Sequence, residues 1–232
     1  PPTPLPAAEP SSRPLPRRGS GRAHFQLASS ELDRLIALAR DTGTSVATVV
    51  QAAWGLTLAR FTGSDDVVFG SARACRRSAL DGDADEMLGL FMNTLPVRAC
   101  VADERTVREL LSDLRAQSIA MREHEHCRLA DVQRFCGLTG GAAMFETMLM
   151  FEHRSLKASL CALDRDAWQV RELTLYERPS LPLTAIVVQD AALDIDLLFD
   201  SKRFTDGAIE RIGEAFCVAL SELARDPARQ VS

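Results

Sequence analysis

The chain has 232 residues, of which 46% are hydrophobic, and a net charge of -5 built from interspersed residues of both signs. That length and composition supply a full core without disulfides, and the charge balance lacks the basic stripe that nucleic-acid binding needs. No apolar run is long enough to span a bilayer, and the six cysteines, at 75, 100, 127, 136, 161 and 217, form neither a CxxC pair nor a framework. The expectation is a protein with no nucleic acid and no membrane as partner, and with reduced, buried thiols in a cytoplasmic setting.

Residues 1–22 hold most of the prolines together with Arg13, Arg17, Arg18 and Arg22, show no apolar period, and read as a linker. The chain opens on Pro1 rather than methionine, which suggests a piece cut from something longer. Residues 23–28 alternate like a strand, and Ser29 or Ser30 offers a cap to a helix with Leu32, Leu35, Ile36 and Leu38 on one side. Thr44 and Ser45 open a second helix that runs to Gly63, with Val46, Val49, Val50, Ala53 and Leu56 at helical spacing and Trp54 as a packing residue.

Val67 to Gly70 reads as a short buried strand, and the polar stretch from Ser71 to Glu86 as a surface loop. The stretch from Leu88 to Arg98, LGLFMNTLPVR, joins a helical turn to a strand with Asn93 at the junction. Thr106 and Glu109 have capping-box spacing at the head of a long helix that continues toward Glu123. Leu129 to Phe135 is a short helix, and Phe145 to Phe151, apolar on both faces, is a central strand. Trp168 to Tyr176, Leu183 to Val188 and Leu193 to Phe199 are three further strands, and Thr205 or Asp206 caps a last helix carrying Ile209, Ile212, Phe216, Leu220 and Leu223. Strands mixed with helices of this length predict an α/β layered domain, one mixed sheet covered by helices.

Three chemistries are disfavoured by pattern. His124 and His126 flank Glu125 beside Glu123 and Cys127, but at i, i+2 on a helix they point apart, and no second ligand pair lies at zinc spacing, so no metal is expected. No GxSxG elbow and no GxxxxGK[ST] loop occur.

Six blocks in order carry a resemblance: FTGSDDVVFG from Phe61, LGLFMNTLPVR from Leu88, EHEHCRLADVQRFCGL from Glu123, FETMLMFE from Phe145, RPSLPL from Arg178, and the closing LFDSKRFTDGAIERI to ARDPARQV. Together, over about residues 23–231, they resemble the C-terminal lobe of a nonribosomal peptide synthetase condensation domain. Such domains are pseudo-dimers of two chloramphenicol acetyltransferase-like lobes around a tunnel.

The resemblance implies one such lobe over residues 23–232, the acceptor side of a site that forms an amide between donor acyl and acceptor aminoacyl thioesters. Its implied partners are the N-terminal lobe of the same domain and peptidyl or aminoacyl carrier proteins. No cofactor is implied as bound; the phosphopantetheine arms of the carriers are substrates. The family's HHxxxDG signature belongs to the first lobe, and none of His24, His124, His126 and His153 is followed by the rest of it, so this chain alone carries no catalytic residue and is expected to be inactive.

Asn93 matches the asparagine of the NTLPxR block, where a carboxamide orients an acceptor amine or pantetheine amide, or alternatively satisfies backbone at the strand's start. Arg76 and Arg98 match positions suited to a contact with the other lobe or a carrier phosphate, against a plain surface role. The chain departs from many relatives at Leu181, and at Ala74 and Cys75 before Arg76. The alternative reading is a non-catalytic condensation-like module that recruits a partner protein or carrier.

Overall fold

The computed structural model describes residues 3, 5, 19–75, 89–102, 104–138, 143–153, 180–225 and 230. Six strands form one mixed sheet: β1 (Gly21–Leu27), β2 (Asp66–Ala74), β3 (Met92–Cys100), β4 (Thr147–Glu152), β5 (Leu183–Gln189) and β6 (Leu193–Phe199). Their order across the sheet is β1-β6-β5-β4-β2-β3. The pairs β4–β5 and β2–β4 are parallel, and β1–β6, β5–β6 and β2–β3 are antiparallel. The helices are α1 (Ser29–Asp41), α2 (Val46–Thr62), α3 (Val107–Ala120), α4 (Leu129–Phe135) and α5 (Asp206–Leu223), with a 3₁₀ turn at Met121–His124 after α3.

Side chains alternate along each strand, and one face of the sheet is apolar from edge to edge. Val67 and Phe69 of β2, Val97 and Ala99 of β3, Leu149 of β4, Ala185 and Val187 of β5, and Ile195 and Leu197 of β6 are all buried in one core cluster with the apolar stripes of α1, α2 and α5. Trp54 of α2 is fully buried, its ring meeting that of Phe216 edge-on at 5.0 Å, so it packs in the core as its spacing suggested. Gly55 lets α2 sit close over the sheet, since a methyl group there would lie 2.7 Å from the Cβ of Ala99.

On the opposite face the β1–β6 end is polar: Arg22 grips Asp196 with two hydrogen bonds of 2.9 and 2.7 Å, and Gln26 donates to Asp194 at 2.7 Å. Pro96, which lacks an N–H, sits in β3 at the sheet's edge, the position where a strand tolerates proline.

Local signals set the helix ends. Ser45 accepts from the Thr48 amide, Thr106 and Glu109 form a reciprocal capping box, and Thr205 accepts from the Ala208 amide. Gly63 ends α2 in the left-handed conformation at φ 65°. At α1 the cap is Ala28, with Ser29 and Ser30 already inside the first turn, because the strand hands over directly to the helix.

Two boundaries differ from the sequence reading in a way that bears on function. β2 does not stop at Gly70 but runs on to Ala74, because its partner β3 begins at Met92 and keeps the ladder going through Arg73 and Asn93. The described residues before β3, 89–91, form no helical turn. The strand expected over Trp168 to Tyr176 and the site candidate Arg76 lie outside the described residues.

Thr3 and Leu5, in the stretch read as linker, are 6% and 4% exposed and pack against the sheet.

Candidate functional site

The extension of β2 brings together residues from three separate blocks. Arg73, Asn93 and Cys75 follow the odd-numbered, helix-covered side of β2 and β3, beyond the last core positions, and meet the turn after α3. Asn93 and Arg73 are direct cross-strand partners. The Asn93 carboxamide donates both its hydrogens, to the carbonyls of Glu125 at 2.8 Å and Cys127 at 2.9 Å, while its oxygen accepts from the Thr94 amide at 2.9 Å. Its donor capacity is therefore spent on the chain itself.

Glu125 is the buried member of the turn, 6% exposed. Its carboxylate receives Arg73 Nε at 2.9 Å and Nη2 at 2.8 Å, and Arg73 Nη1 donates to Ser118 of α3 at 3.1 Å. The Cys75 thiol donates to the Glu125 carbonyl at 3.4 Å, and burial, aided by the nearby Glu125 charge, pushes its pKa up. Arg73 and Asn93 thus hold the turn by both its carboxylate and its carbonyls.

The turn bounds a shallow depression of about 210 Å³ lined by Cys75, Leu90, Phe91, Met92, Asn93, Glu125, His126 and Arg128. Leu90 and Met92 are exposed there. His124 and His126 are exposed to either side of the inward-pointing Glu125.

Arg98 lies at the other end of β3. It makes a two-pronged pair with Asp66, Nε and Nη2 each 2.7 Å from a carboxylate oxygen, and its backbone is bracketed by Gln117 of α3. The hydrogen bond from Arg98 holds the Asp66 carboxyl below its ordinary range. Asn93 and Arg98 therefore belong to opposite ends of one strand and do not form one site. A larger groove of about 560 Å³ runs between α2, α5 and the chain after β3, lined by Leu56, Val101, Val107, Val218 and Leu223 with Arg60, Asp65 and Glu222 among its polar residues.

A sequence profile of the condensation domain matches residues 1–232. The chain belongs to the condensation-domain family. It is 30% identical over 214 residues to a linear gramicidin synthase protein of Brevibacillus parabrevis, a match that covers 92% of this chain and 3% of that protein. It is 29% identical over 224 residues to chondramide synthase cmdD of Chondromyces crocatus, covering 97% of this chain and 6% of that one. The chain thus spans a few hundredths of the length of these curated relatives.

Among solved structures it matches the condensation domain of the monacolin K polyketide synthase MokA at a TM-score of 0.77 with 17% identity, over 100% of this chain and 54% of that one. The X-domain from teicoplanin biosynthesis matches at a TM-score of 0.75 with 18% identity, over 98% of this chain and 52% of that one. The mixed α/β lobe expected from the sequence is the condensation-domain fold, built on the chloramphenicol acetyltransferase-like plan.

The sequence reading missed Arg73 and Glu125 as a pair. Each stands in a run of charged residues, and only the continued β2–β3 ladder and the turn at the end of α3 bring them within reach. The available signal was Arg73 at strand spacing beyond Phe69 and Ser71, a periodicity that the polar character of the segment obscured.

Proposed function

We propose that this chain is the C-terminal, acceptor-side lobe of a nonribosomal peptide synthetase condensation domain, which joins a carrier-bound donor acyl or peptidyl thioester to a carrier-bound acceptor aminoacyl thioester. The observation that carries the proposal is one of extent. Nearly the whole chain superposes on about half of the MokA condensation domain and of the teicoplanin X-domain, as one lobe of a two-lobed domain should.

In the reaction the acceptor amine attacks the donor thioester carbonyl. A C–N bond forms, the C–S bond breaks, and the carrier thiol leaves with the proton lost by the amine. Holding two phosphopantetheine arms in register supplies most of the acceleration. The lobe contributes one wall of the tunnel and a face for a carrier, and HHxxxDG must come from the preceding lobe.

In this scheme Asn93 is a positioning residue. It holds the Glu125–Cys127 turn through two carbonyls, and the turn in turn shapes the depression in front of it. Arg98 and Arg76 are the candidates for a contact with the other lobe or a carrier phosphate, a role that suits a forked guanidinium.

The test joins this chain to the polypeptide encoded directly upstream, presents loaded donor and acceptor carriers, and follows the amide by mass spectrometry. Product is expected from the joined domain with an intact HHxxxDG and none from the lobe alone. Turnover by the isolated lobe would overturn the two-lobe reading. An upstream lobe with a broken motif and no product would favour the recruitment module, the reading for which the X-domain solved in complex with OxyB is the structural precedent. Asn93→Ala should lower turnover while the lobe stays folded; an unchanged rate at saturating carriers would remove Asn93 from any part in the site.

A further inference from the structure

β2 and β4 are neighbours in the sheet, yet they pair directly only at Gly70 with Met148 and Ser71 with Leu149. Below that point the β4 side of β2 is open, and the Val68 amide faces the opening. A buried strand amide left without an acceptor costs about as much as a lost hydrogen bond, so something must fill the place. Thr3 does: its hydroxyl oxygen accepts from the Val68 amide at 2.7 Å, and its backbone bridges in parallel to Phe145, just ahead of β4.

Two residues on, Leu5 is gripped by its backbone. Its N–H donates to Glu146 Oε2 at 2.8 Å, and its carbonyl accepts from Arg203 Nη2 at 3.4 Å. Arg203, from the turn after β6, also forks onto both oxygens of Glu146. One ion pair therefore reads the donor and the acceptor of a single residue's backbone, and it does so across 141 and 198 residues of sequence.

The filling segment suits the place by composition. In the sequence Thr3 and Leu5 each precede a proline, Pro4 and Pro6, which biases both toward extended backbone before anything is bound. Thr3 and Leu5 are both buried. Little conformational entropy is lost when such a segment docks.

We infer that the notch between β2 and β4 is a built slot for an extended, proline-punctuated segment, and that Thr3 and Leu5 in this slot fix where the polypeptide preceding the sheet is attached. The slot stands independently of the reaction proposed above. Its consequence for turnover, a fixed placement of the preceding lobe, rests on that reading.

The test is hydrogen exchange at the Leu5 and Val68 amides of the full chain, with the core amide of Val187 as reference. The Leu5 amide should exchange about tenfold more slowly than in the free peptide PPTPLPAA. Arg203→Met with Glu146→Ala should return it to the free rate, and Thr3→Val should release the Val68 amide, with Val187 unchanged in both. Arg203→Lys should keep only part of the protection, since a shorter-reaching, single-nitrogen ammonium lacks the planar fork that meets both Glu146 oxygens side by side.

Free-peptide exchange at Leu5 in the wild type would overturn the slot. In the complete two-lobed domain the Arg203→Met, Glu146→Ala pair should also lower turnover at saturating carriers. Lost protection with unchanged turnover would overturn the positional role. A complete wild-type domain with an intact motif and no turnover would count against the amide-forming reading alone, with the exchange result deciding the slot.

Discussion

Each end of β3 carries an arginine-linked group, and the two groups obey different rules. At the Met92 end, Asn93, Arg73 and Glu125 form a largely buried network, the Arg73 and Glu125 side chains 18% and 8% exposed, that holds the Glu125 turn by its carboxylate and its carbonyls. At the Cys100 end, Arg98 and Asp66 make an ion pair of better geometry, yet the Arg98 side chain is 68% exposed. Water competes far more for the second pair than for the first. Bond length is thus a poor guide to importance here, and burial a good one.

The largest effect that separates the two ends should come from Glu125→Ala. It leaves the Arg73 guanidinium shielded from solvent without its counter-charge, a situation that costs about 3–5 kcal/mol. Urea unfolding measures this directly, and the double change Arg73→Met with Glu125→Gln should recover part of the loss. If Glu125→Ala shifts the midpoint no more than Arg98→Ala does, the contrast between the ends is wrong.

Next comes Asn93→Ala, which frees the Glu125 and Cys127 carbonyls and should cost about 1–3 kcal/mol. Asn93→Asp should be at least as damaging, because a carboxylate has no hydrogen to give either carbonyl.

Two cysteines report on the ends without a stability measurement. Cys75 is buried against Glu125, while Cys100 is exposed opposite Asp66. At mildly alkaline pH a thiol reagent, followed by peptide mapping, should modify Cys100 well before Cys75. Cys217, which burial and then the neighbouring Glu214 push up to about 11, should also lag. In Asn93→Ala the Cys75 rate should rise and the Cys100 rate should not. Equal acceleration of both would mean that the substitution loosens the whole lobe rather than one end.

The smallest effect is expected from Arg98→Ala, with little change in the unfolding midpoint at neutral pH. Its signature is electrostatic. Asp66 titrates below its ordinary value in the folded protein, so whatever stability the pair adds is present above the unfolded carboxylate range near about pH 4. It is lost as pH falls through the lowered folded value. Removing Arg98 should move the Asp66 titration up, visible by NMR, and abolish that acid-side difference between wild type and variant.

Most helices were legible because their signals are local. The Thr106 and Glu109 capping box, the Ser45 cap and the spacing of Leu129 to Phe135 each depend on residues within one or two turns. β6 was legible because Leu193, Ile195 and Leu197 alternate cleanly with Asp194 and Asp196. The C-terminal part of β2 was not, because a strand that carries Ser71, Arg73 and Ala74 looks like a loop until its partner is known.

Asn93 was singled out as a residue with a task, and both an outward and an inward task were open. Only the position of the Glu125–Cys127 turn, 32 to 34 residues away, shows that its hydrogens point inward. Likewise the proline-rich start gave no apolar period. Thr3 and Leu5 nevertheless found partners in β2, ahead of β4 and after β6, a match that no local pattern encodes.

By itself the sequence determined the family, the layered α/β class and the ends of most helices, since these rest on short-range periodicity, capping and ordered blocks of residues. The tertiary structure alone decided which polar side chains are spent within the lobe and which remain at its surface. Hydrogen-bond partners and burial are set by strands and turns that meet across the whole length of the chain, and the same arginine is weak in water and costly to strand without it.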